Sequence, residues 1–381
     1  MKNFYFTFLA IFALSFTIHS QTTDTLVDIG GYNMHFNIMK GEGTPILFEA
    51  GGGDDSSVWA PILERIHKIT GTTLITYDRS GFGQSELNPK LENDLDFDIE
   101  NGIKELEIGL AKLGYDDDII LVSHSYGGLY NLLYANKHPK KVKSIILIDA
   151  TLSDFWNDDF LAMRDMFVDI NTIPKGTGDY YLNFNYNEIM RSLRNTQFPD
   201  NIPVTNIFPD KSAPVYPEEY SNRWKKVHVD LGNNNNNITN IVAESSGHAI
   251  FNDNPGLVIN AIVKAYVETL DENQQNIVLQ KALDNAIALS IVTKVHNRSE
   301  EDLNTLGYSL LQTQELDKAL DVFKTTTILF PESANAYDSY GEALLMADKK
   351  DAAIKMYEKS IALNPKNENG KKILQSLRGE Q

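Results

Sequence analysis

The residues with the clearest chemistry lie in the run Ser123-His124-Ser125-Tyr126-Gly127-Gly128. It follows an apolar stretch, Ile119-Ile120-Leu121-Val122, and precedes a helix-like stretch, Leu129 to Asn136. A sharp strand-to-helix turn holds its central residue in a strained conformation and leaves the hydroxyl exposed. The residues two before and two after that centre must be small, and here they are Ser123 and Gly127. A serine hydroxyl is a weak nucleophile until a base takes its proton, and histidine is poised near neutral pH for that task. His248, in the late run Ser246-Gly247-His248, is the candidate base. His124 competes by position but points away from the nucleophile's side if the turn forms, so it is read as packing. His35, His67, His138 and His228 have no motif around them and are read as structural. The plain alternatives are a chance serine in a glycine-rich turn and a surface histidine in a loop.

Such a turn needs a sheet behind it. Leu26 to Ile29, the Gly30-Gly31 pair and Tyr32 to Ile38 predict a hairpin, because consecutive glycines allow positive φ. Ile46 to Phe48, Thr73 to Tyr77, Ile119 to Val122 and Ile145 to Ile148 are apolar on both alternating faces. That pattern predicts strands of a mostly parallel sheet buried under helices, an α/β architecture. Val204 to Phe208 and Ile238 to Ala243 add two more strands. The stretch from 154 to 201 breaks the rhythm with Phe155, Trp156, Tyr180, Tyr181, Phe184 and Tyr186. It stands where an open α/β sheet carries an insertion above the carboxyl ends of its strands, and it predicts a lid whose aromatics also pack. Asn233 to Asn237 predicts a surface loop.

With these segments in place, residues 24–271 resemble the α/β-hydrolase superfamily. Ala50-Gly51-Gly52-Gly53 followed by Trp59 is similar to the family's oxyanion loop. Tyr77-Asp78-Arg79-Ser80-Gly81-Phe82-Gly83-Gln84-Ser85 resembles its turn after the next strand. Ser246-Gly247-His248, then Asp253-Asn254-Pro255, resembles its late histidine loop and last helix. The resemblance implies Ser125 as nucleophile, His248 as base, and an oxyanion hole made by the backbone N–H groups of Tyr126 and Gly52. Ser123 replaces the glycine that usually opens the pentapeptide, and Ala50 replaces a histidine. Glu49 beside the loop is either a buried support or a substrate contact. Asp78 and Arg79 are expected to be structural, as an ion pair or turn contact. The family's acid follows the strand ending near Phe208, where Asp210 is the only carboxylate; Asp149 and Asp154, after the preceding strand, are the alternatives. That carboxylate orients the imidazole and stabilises its cation. A serine at the elbow argues against the family branches that use an aspartate nucleophile, the dehalogenases and epoxide hydrolases.

The rest of the chain bounds the reading. Its 381 residues suggest two domains, and a hydrophobic fraction of 42% supports a sizeable core. The net charge of −18, with no basic stripe, excludes nucleic acid as an expected partner. Phe4 to Ile18 is almost wholly apolar, follows Lys2 and is too short to span a bilayer comfortably. Residues 1–20 are therefore expected to be a secretory signal peptide cleaved near Ser20–Gln21, with an uncleaved anchor as the alternative. After cleavage no stable membrane span is expected, and the protein would be periplasmic or secreted. The absence of cysteine removes disulfides and thiolate metal sites, and no metal or phosphate-binding motif is present. Neither cofactor nor metal is expected. Two Asn-x-Ser/Thr sequons, at Asn237 and Asn297, would matter only in a eukaryotic secretory route.

The C-terminal part repeats. Gly307 and Gly341, Ala319 and Ala353, Phe323 and Tyr357, and Pro331 and Pro365 each stand 34 residues apart. Small residues let two helices cross closely, the aromatic fills the crossing and the proline ends the second helix. This resembles the tetratricopeptide repeat. Residues 299–376 are assigned to it, with 272–298 as a helical connector or cap. The expected function is an exported serine hydrolase, most simply an esterase acting on a small ester-like substrate through an acyl-enzyme. The alternatives are an aminopeptidase-like amide hydrolase and a catalytically degenerate domain serving a repeat-based binding module. Repeats of this kind also allow a protein partner or self-association.

Overall fold

A computed structural model describes residues 22–210, 217–292 and 299–379, with backbone alone over 286–292. The predicted leader, Lys211, Ser212 and the sequon at Asn297 lie outside these residues. The described chain divides into two compact units. One runs up to Ala60 and resumes over Gly71–Val242; the other joins Pro61–Thr70 to the chain from Ala243 onward.

Eight strands form one sheet. In spatial order they are β1 (Thr22–Asp28), β2 (Asn33–Met39), β4 (Leu74–Tyr77), β3 (Ile46–Glu49), β5 (Ile119–His124), β6 (Val142–Ile148), β7 (Val204–Pro209) and β8 (Ile238–Ala243). β2 is antiparallel to β1 and β4, whereas β4–β3, β3–β5, β5–β6 and β6–β7 are parallel. Every residue of β3, β4 and β5 is buried, which is why their sequences are apolar on both faces. The hairpin is wider than a two-residue turn. Asp28 pairs with Asn33, so four residues span it. Gly30 and Gly31 take φ of 129° and 100°, and the Asp28 carboxylate accepts both of their amides. From β3 the chain passes to β4 on one side and only later to β5 on the other. Strand order therefore reverses between β3 and β5, and an open sheet of this kind offers its crevice at the carboxyl ends there.

The helices in chain order begin with α1 (Ala60–Thr70), α2 (Ile99–Leu113), α3 (Gly127–Lys137), α4 (Asp158–Phe167), α5 (Gly178–Leu193) and α6 (Glu218–Asn234). α3 lies against β3, β5 and β6, and nine of its residues are buried, so it shows little amphipathic contrast. Asp98 caps α2 by accepting the Asn101 amide, and Gly114 ends it in the left-handed region. The predicted lid is α4 and α5 with their flanking turns. Phe155, Trp156 and Tyr186 pack into the core, while Met166, Phe167 and Phe184 are exposed, so the segment both packs and presents apolar surface. α6 continues through Asn234, which trims the predicted surface loop to the residues after it.

The second unit continues with α7 (Ile250–Asp253), α8 (Pro255–Val267), α9 (Glu272–Val292), α10 (Glu300–Gln312), α11 (Leu316–Leu329), α12 (Ala334–Met346), α13 (Lys350–Leu363) and α14 (Glu368–Arg378). From α10 on, each helix packs on the next. The same contact occurs twice. A methyl placed on Gly307 would lie 2.5 Å from the Phe323 ring, and one on Gly341 would lie 3.0 Å from the Tyr357 ring. Ser299 and Ser333 cap α10 and α12, and Pro331 and Pro365 follow α11 and α13. The predicted domain boundary at 271/272 differs from the division at Val242 and Ala243. α8 packs on both α7 and α9, which groups the histidine loop's helix with the helical part. Among the described residues, no helix is long and apolar enough to cross a membrane.

Candidate active site

Ser125 follows β5 directly and takes φ of 51°, left-handed backbone that a serine adopts only under constraint. Such a conformation costs on the order of 1–3 kcal/mol and persists where the surroundings over-determine it. The surroundings here do. The Ser125 amide donates to the Ile148 carbonyl at 3.2 Å, and its carbonyl accepts from Gly128 at 2.9 Å and Thr151 at 2.7 Å. A methyl on Gly127 would stand 2.7 Å from both the Ala50 carbonyl oxygen and Glu49 Cγ; one on Gly128 would stand 2.6 Å from Ala150 Cβ. α3 can therefore start hard against the ends of β3 and β6 only with glycines there. Ser123, fully buried, satisfies the same demand for a small residue.

The loop after β3 meets this elbow. A methyl on Gly51 would lie 3.4 Å from Ser125 Cβ, and one on Gly52 would lie 3.3 Å from Tyr126 Cβ. Among the described residues, the amides of Gly52 and Tyr126 donate to no backbone carbonyl outside the regular elements. Tyr126 is the N-cap of α3, so the positive end of that helix dipole is at the same place. Two available donors beside a strained serine are what a developing oxyanion needs. His124 is buried and packs on this loop, with Nδ1 4.0 Å from Asp54 Oδ2.

Behind the loop lies a buried polar cluster that the sequence reading paired differently. Arg79 pairs with Glu49, not with Asp78: Nη1 donates to Glu49 Oε1 at 2.7 Å and to the Ala50 carbonyl at 2.8 Å, and Nη2 donates to the Gly51 carbonyl. The Tyr77 hydroxyl donates to the other Glu49 oxygen. The guanidinium stacks 5.1, 5.7 and 5.6 Å from the ring centres of Phe82, Tyr126 and Tyr130. Burial works to lower the Arg79 guanidinium, but the facing Glu49 carboxylate together with Tyr130, Tyr77 and Tyr126 outweighs it, raising Arg79 above its ordinary value. Glu49 is thus a support rather than an exposed substrate contact. Asp78 instead accepts from His35 Nδ1 at 2.8 Å and from the amides of Ser56 at 2.8 Å and Gln84 at 2.9 Å. Burial pushes its carboxyl up, but the Gln84 and Ser56 bonds hold it below the usual carboxylate range. A cavity of about 50 Å³ adjoins the cluster, lined among others by Phe82, Phe97, Tyr126, Tyr130, Tyr181 and Leu182.

The remaining site residues are placed as follows. Asp210 stands at the carboxyl end of β7, partly buried, and its Oδ1 has no hydrogen-bond partner among the described residues. Asp149 follows β6 directly with φ of 41°; its carboxylate accepts from Trp224 Nε1 at 2.7 Å and lies 3.6 Å from His228 Nε2. Asp154 is exposed. His248 is exposed in the loop between β8 and α7, in the second unit, where the Gly247 amide donates to Asp253 Oδ2 at 2.7 Å. The first unit thus brings together Ser125, Tyr126 and Gly52. Among the described residues no group of three His, Cys, Asp or Glu is arranged to hold a metal ion. The Arg79 clamp is the feature that sequence reasoning missed. Its only signal was an acid ending one strand and an Arg following the next.

Residues 44–197 match the family described as alpha/beta hydrolase fold. The uncharacterized protein YqjL of Bacillus subtilis is 27% identical over 239 residues, 61% of this chain and 88% of that protein. The proline iminopeptidase of Lactobacillus delbrueckii subsp. lactis is 28% identical over 204 residues, 51% of this chain and 66% of the enzyme. Among solved structures, a laboratory-evolved variant of potato epoxide hydrolase StEH1 superposes with a TM-score of 0.51 at 15% identity, covering 64% of this chain and 98% of that one. A Vigna radiata epoxide hydrolase mutant superposes with a TM-score of 0.50 at 16% identity, covering 65% and 99%. On the sheet order, the family match and these likenesses, this part of the chain has the alpha/beta hydrolase fold.

Proposed function

We propose that the protein is a serine hydrolase that cleaves a carboxylic ester, or a related acyl bond, through an acyl-enzyme on Ser125. The observation that carries this reading is the left-handed backbone of Ser125 with the available amides of Gly52 and Tyr126 beside it. Ser125 Oγ attacks the carbonyl carbon while His248 takes its proton. The two amides stabilise the oxyanion, His248 returns the proton to the leaving oxygen, and the acyl group stays on the serine. Water then attacks, with His248 again as base, and releases the acid. Asp210 orients the imidazole; its position after β7, and a buried oxygen without a hydrogen-bond partner among the described residues, support it over Asp149. The support for His248 is its place after the last strand and before the final helix of the fold. The epoxide hydrolase likenesses speak to the fold alone, and a serine stands at the elbow here.

Amide hydrolysis is the second reading, favoured by the similarity to proline iminopeptidase. One experiment separates the possibilities. Purified protein is treated with a fluorophosphonate probe beside Ser125→Ala, and turnover of p-nitrophenyl esters and of a proline amide is followed. Labelling and ester turnover should appear in the wild type, and Ser125→Ala should lower turnover by roughly 10⁴-fold or more. Faster proline amide turnover would move the assignment to a peptidase. No labelling of a folded protein would overturn the hydrolase reading and leave a binding module.

Two further parts belong to the proposal. The apolar run from Phe4 to Ile18 supports export, and a mature protein beginning near Gln21 in mass spectrometry would establish it. The period of 34 residues and the duplicated Gly–aromatic contact support tetratricopeptide-type repeats that bind a protein partner or a second copy. Light scattering on the full chain tests the second of these.

A further inference from the structure

We infer that Arg79 is a positioning residue for the oxyanion hole, turning the Gly52 amide toward Ser125 by gripping the two carbonyls before it. The inference rests on the proposed serine-hydrolase reaction and adds to it a residue that takes no part in bond making. The physical basis is the planarity of the peptide unit. In a trans peptide the C=O of one residue and the N–H of the next point in opposite directions. The Gly51 carbonyl accepts from Arg79 Nη2, and also from the Asp54 amide at 3.3 Å, so the Gly52 N–H is directed away from both. The Ala50 carbonyl, held at 2.8 Å by Nη1, fixes the preceding peptide in the same way. Glycine at 51, 52 and 53 leaves this backbone few steric barriers of its own, so an external hold is needed to keep one orientation.

Arg79 suits this task for three reasons. Its planar fork serves Glu49, Ala50 and Gly51 together, which a single ammonium cannot reproduce. Glu49 and Tyr77 lock the fork from behind, and all three side chains are buried. The guanidinium also lies against the ring of Tyr126, whose amide is the second donor. One side chain therefore touches both halves of the hole. A purely structural ion pair with Glu49 would not require either carbonyl.

The test uses the full-length mature protein with Arg79→Met and Arg79→Lys, checked for folding by near-ultraviolet circular dichroism and for active fraction by titration. A trifluoromethyl ketone, which forms a tetrahedral oxyanion adduct with an active serine, is the probe. Per active site, Arg79→Met should lose on the order of 10²–10³-fold in kcat, the size expected for an oxyanion donor, with KM nearly unchanged. Ketone affinity should fall in parallel with kcat. Arg79→Lys keeps a cation against Glu49 and decides the matter if Arg79→Met does not fold; it should lose at least about tenfold in both quantities. Added guanidinium ion should restore part of the kcat of Arg79→Ala. Wild-type kcat and ketone affinity in a folded Arg79 variant would overturn the inference while leaving the hydrolase reading intact. A wild type that neither labels nor turns over substrate would overturn the parent reading.

Discussion

The end of β5 and the ends of β6 and β7 stand a strand or two apart in one sheet, and they differ in how tightly the surroundings close on them. Around Ser125 the backbone is committed on every side: Ile148 and Thr151 bond it from the β6 side, Gly128 bonds it from α3, and Gly51 and Gly127 leave no room for a methyl. After β6 the backbone of Asp149 is left-handed too, at φ of 41° with its amide on the Ile207 carbonyl, but no glycine contact among the described residues closes around it. The Asp149 carboxylate is engaged by Trp224, whereas one buried Asp210 oxygen has no hydrogen-bond partner among the described residues. A nucleophile must be placed to within a fraction of an ångström, so backbone strain and steric exclusion are the appropriate means. An acid has only to meet one N–H of an imidazole, and a side chain at a strand end is enough. The difference explains why a motif marks the first region and none marks the second.

The largest expected effect tests the acid region. Asp210→Asn should lower kcat by roughly 10³–10⁴-fold while labelling with a fluorophosphonate slows and the fold persists. Asp149→Asn should leave kcat within about tenfold, since an amide oxygen still accepts from Trp224. The reverse ranking in steady-state kinetics would move the acid to β6 and show that the occupied carboxylate does the work. At the elbow the effect should be on the fold itself. Gly127→Ala places a methyl against the Ala50 carbonyl and should destabilise by about 1–3 kcal/mol, with a lower Tm in calorimetry. An unchanged Tm would mean that the elbow is less constrained than its contacts imply.

The smallest effect concerns Asp78, the buried carboxylate that stands apart from the Glu49–Arg79 pair. Asp78 is held below its ordinary pKa in the folded chain. Its contribution is therefore present above the unfolded value, about 3.9, and is lost as pH falls through the lower folded value. Urea midpoints should drop on acidification from about pH 4 downward, and Asp78→Asn should flatten part of that drop. An equally steep acid limb in the variant would assign the loss to other carboxylates.

Much of this site was legible along the chain. β3, β4 and β5 announce themselves as unbroken apolar runs because both of their faces are buried, and β8 matches its predicted span. The elbow is legible because the constraint is local: a strained centre needs small residues at fixed offsets, here Ser123 and Gly127. The repeated Gly–aromatic contact in the helical part is legible for the same reason, since periodicity writes the same packing twice. The hairpin was less so. Gly30-Gly31 marks the turn, but the register that makes it four residues wide depends on how β1 pairs with all of β2.

The partner of Arg79 shows where local reading ends. The sequence by itself determined that an acid closes one strand, that Tyr77-Asp78-Arg79 ends another, and that Gly51-Gly52-Gly53 follows the acid closely. It could not determine that Arg79 would turn to Glu49 and leave Asp78 to His35, Ser56 and Gln84. That choice was made by the parallel register of β3 and β4, which sets Phe48 beside Thr76 and so brings Glu49 level with Tyr77. Hydrogen-bond partners across a sheet follow from which backbones stand within about 5 Å, and that spacing exists only once the strands are paired.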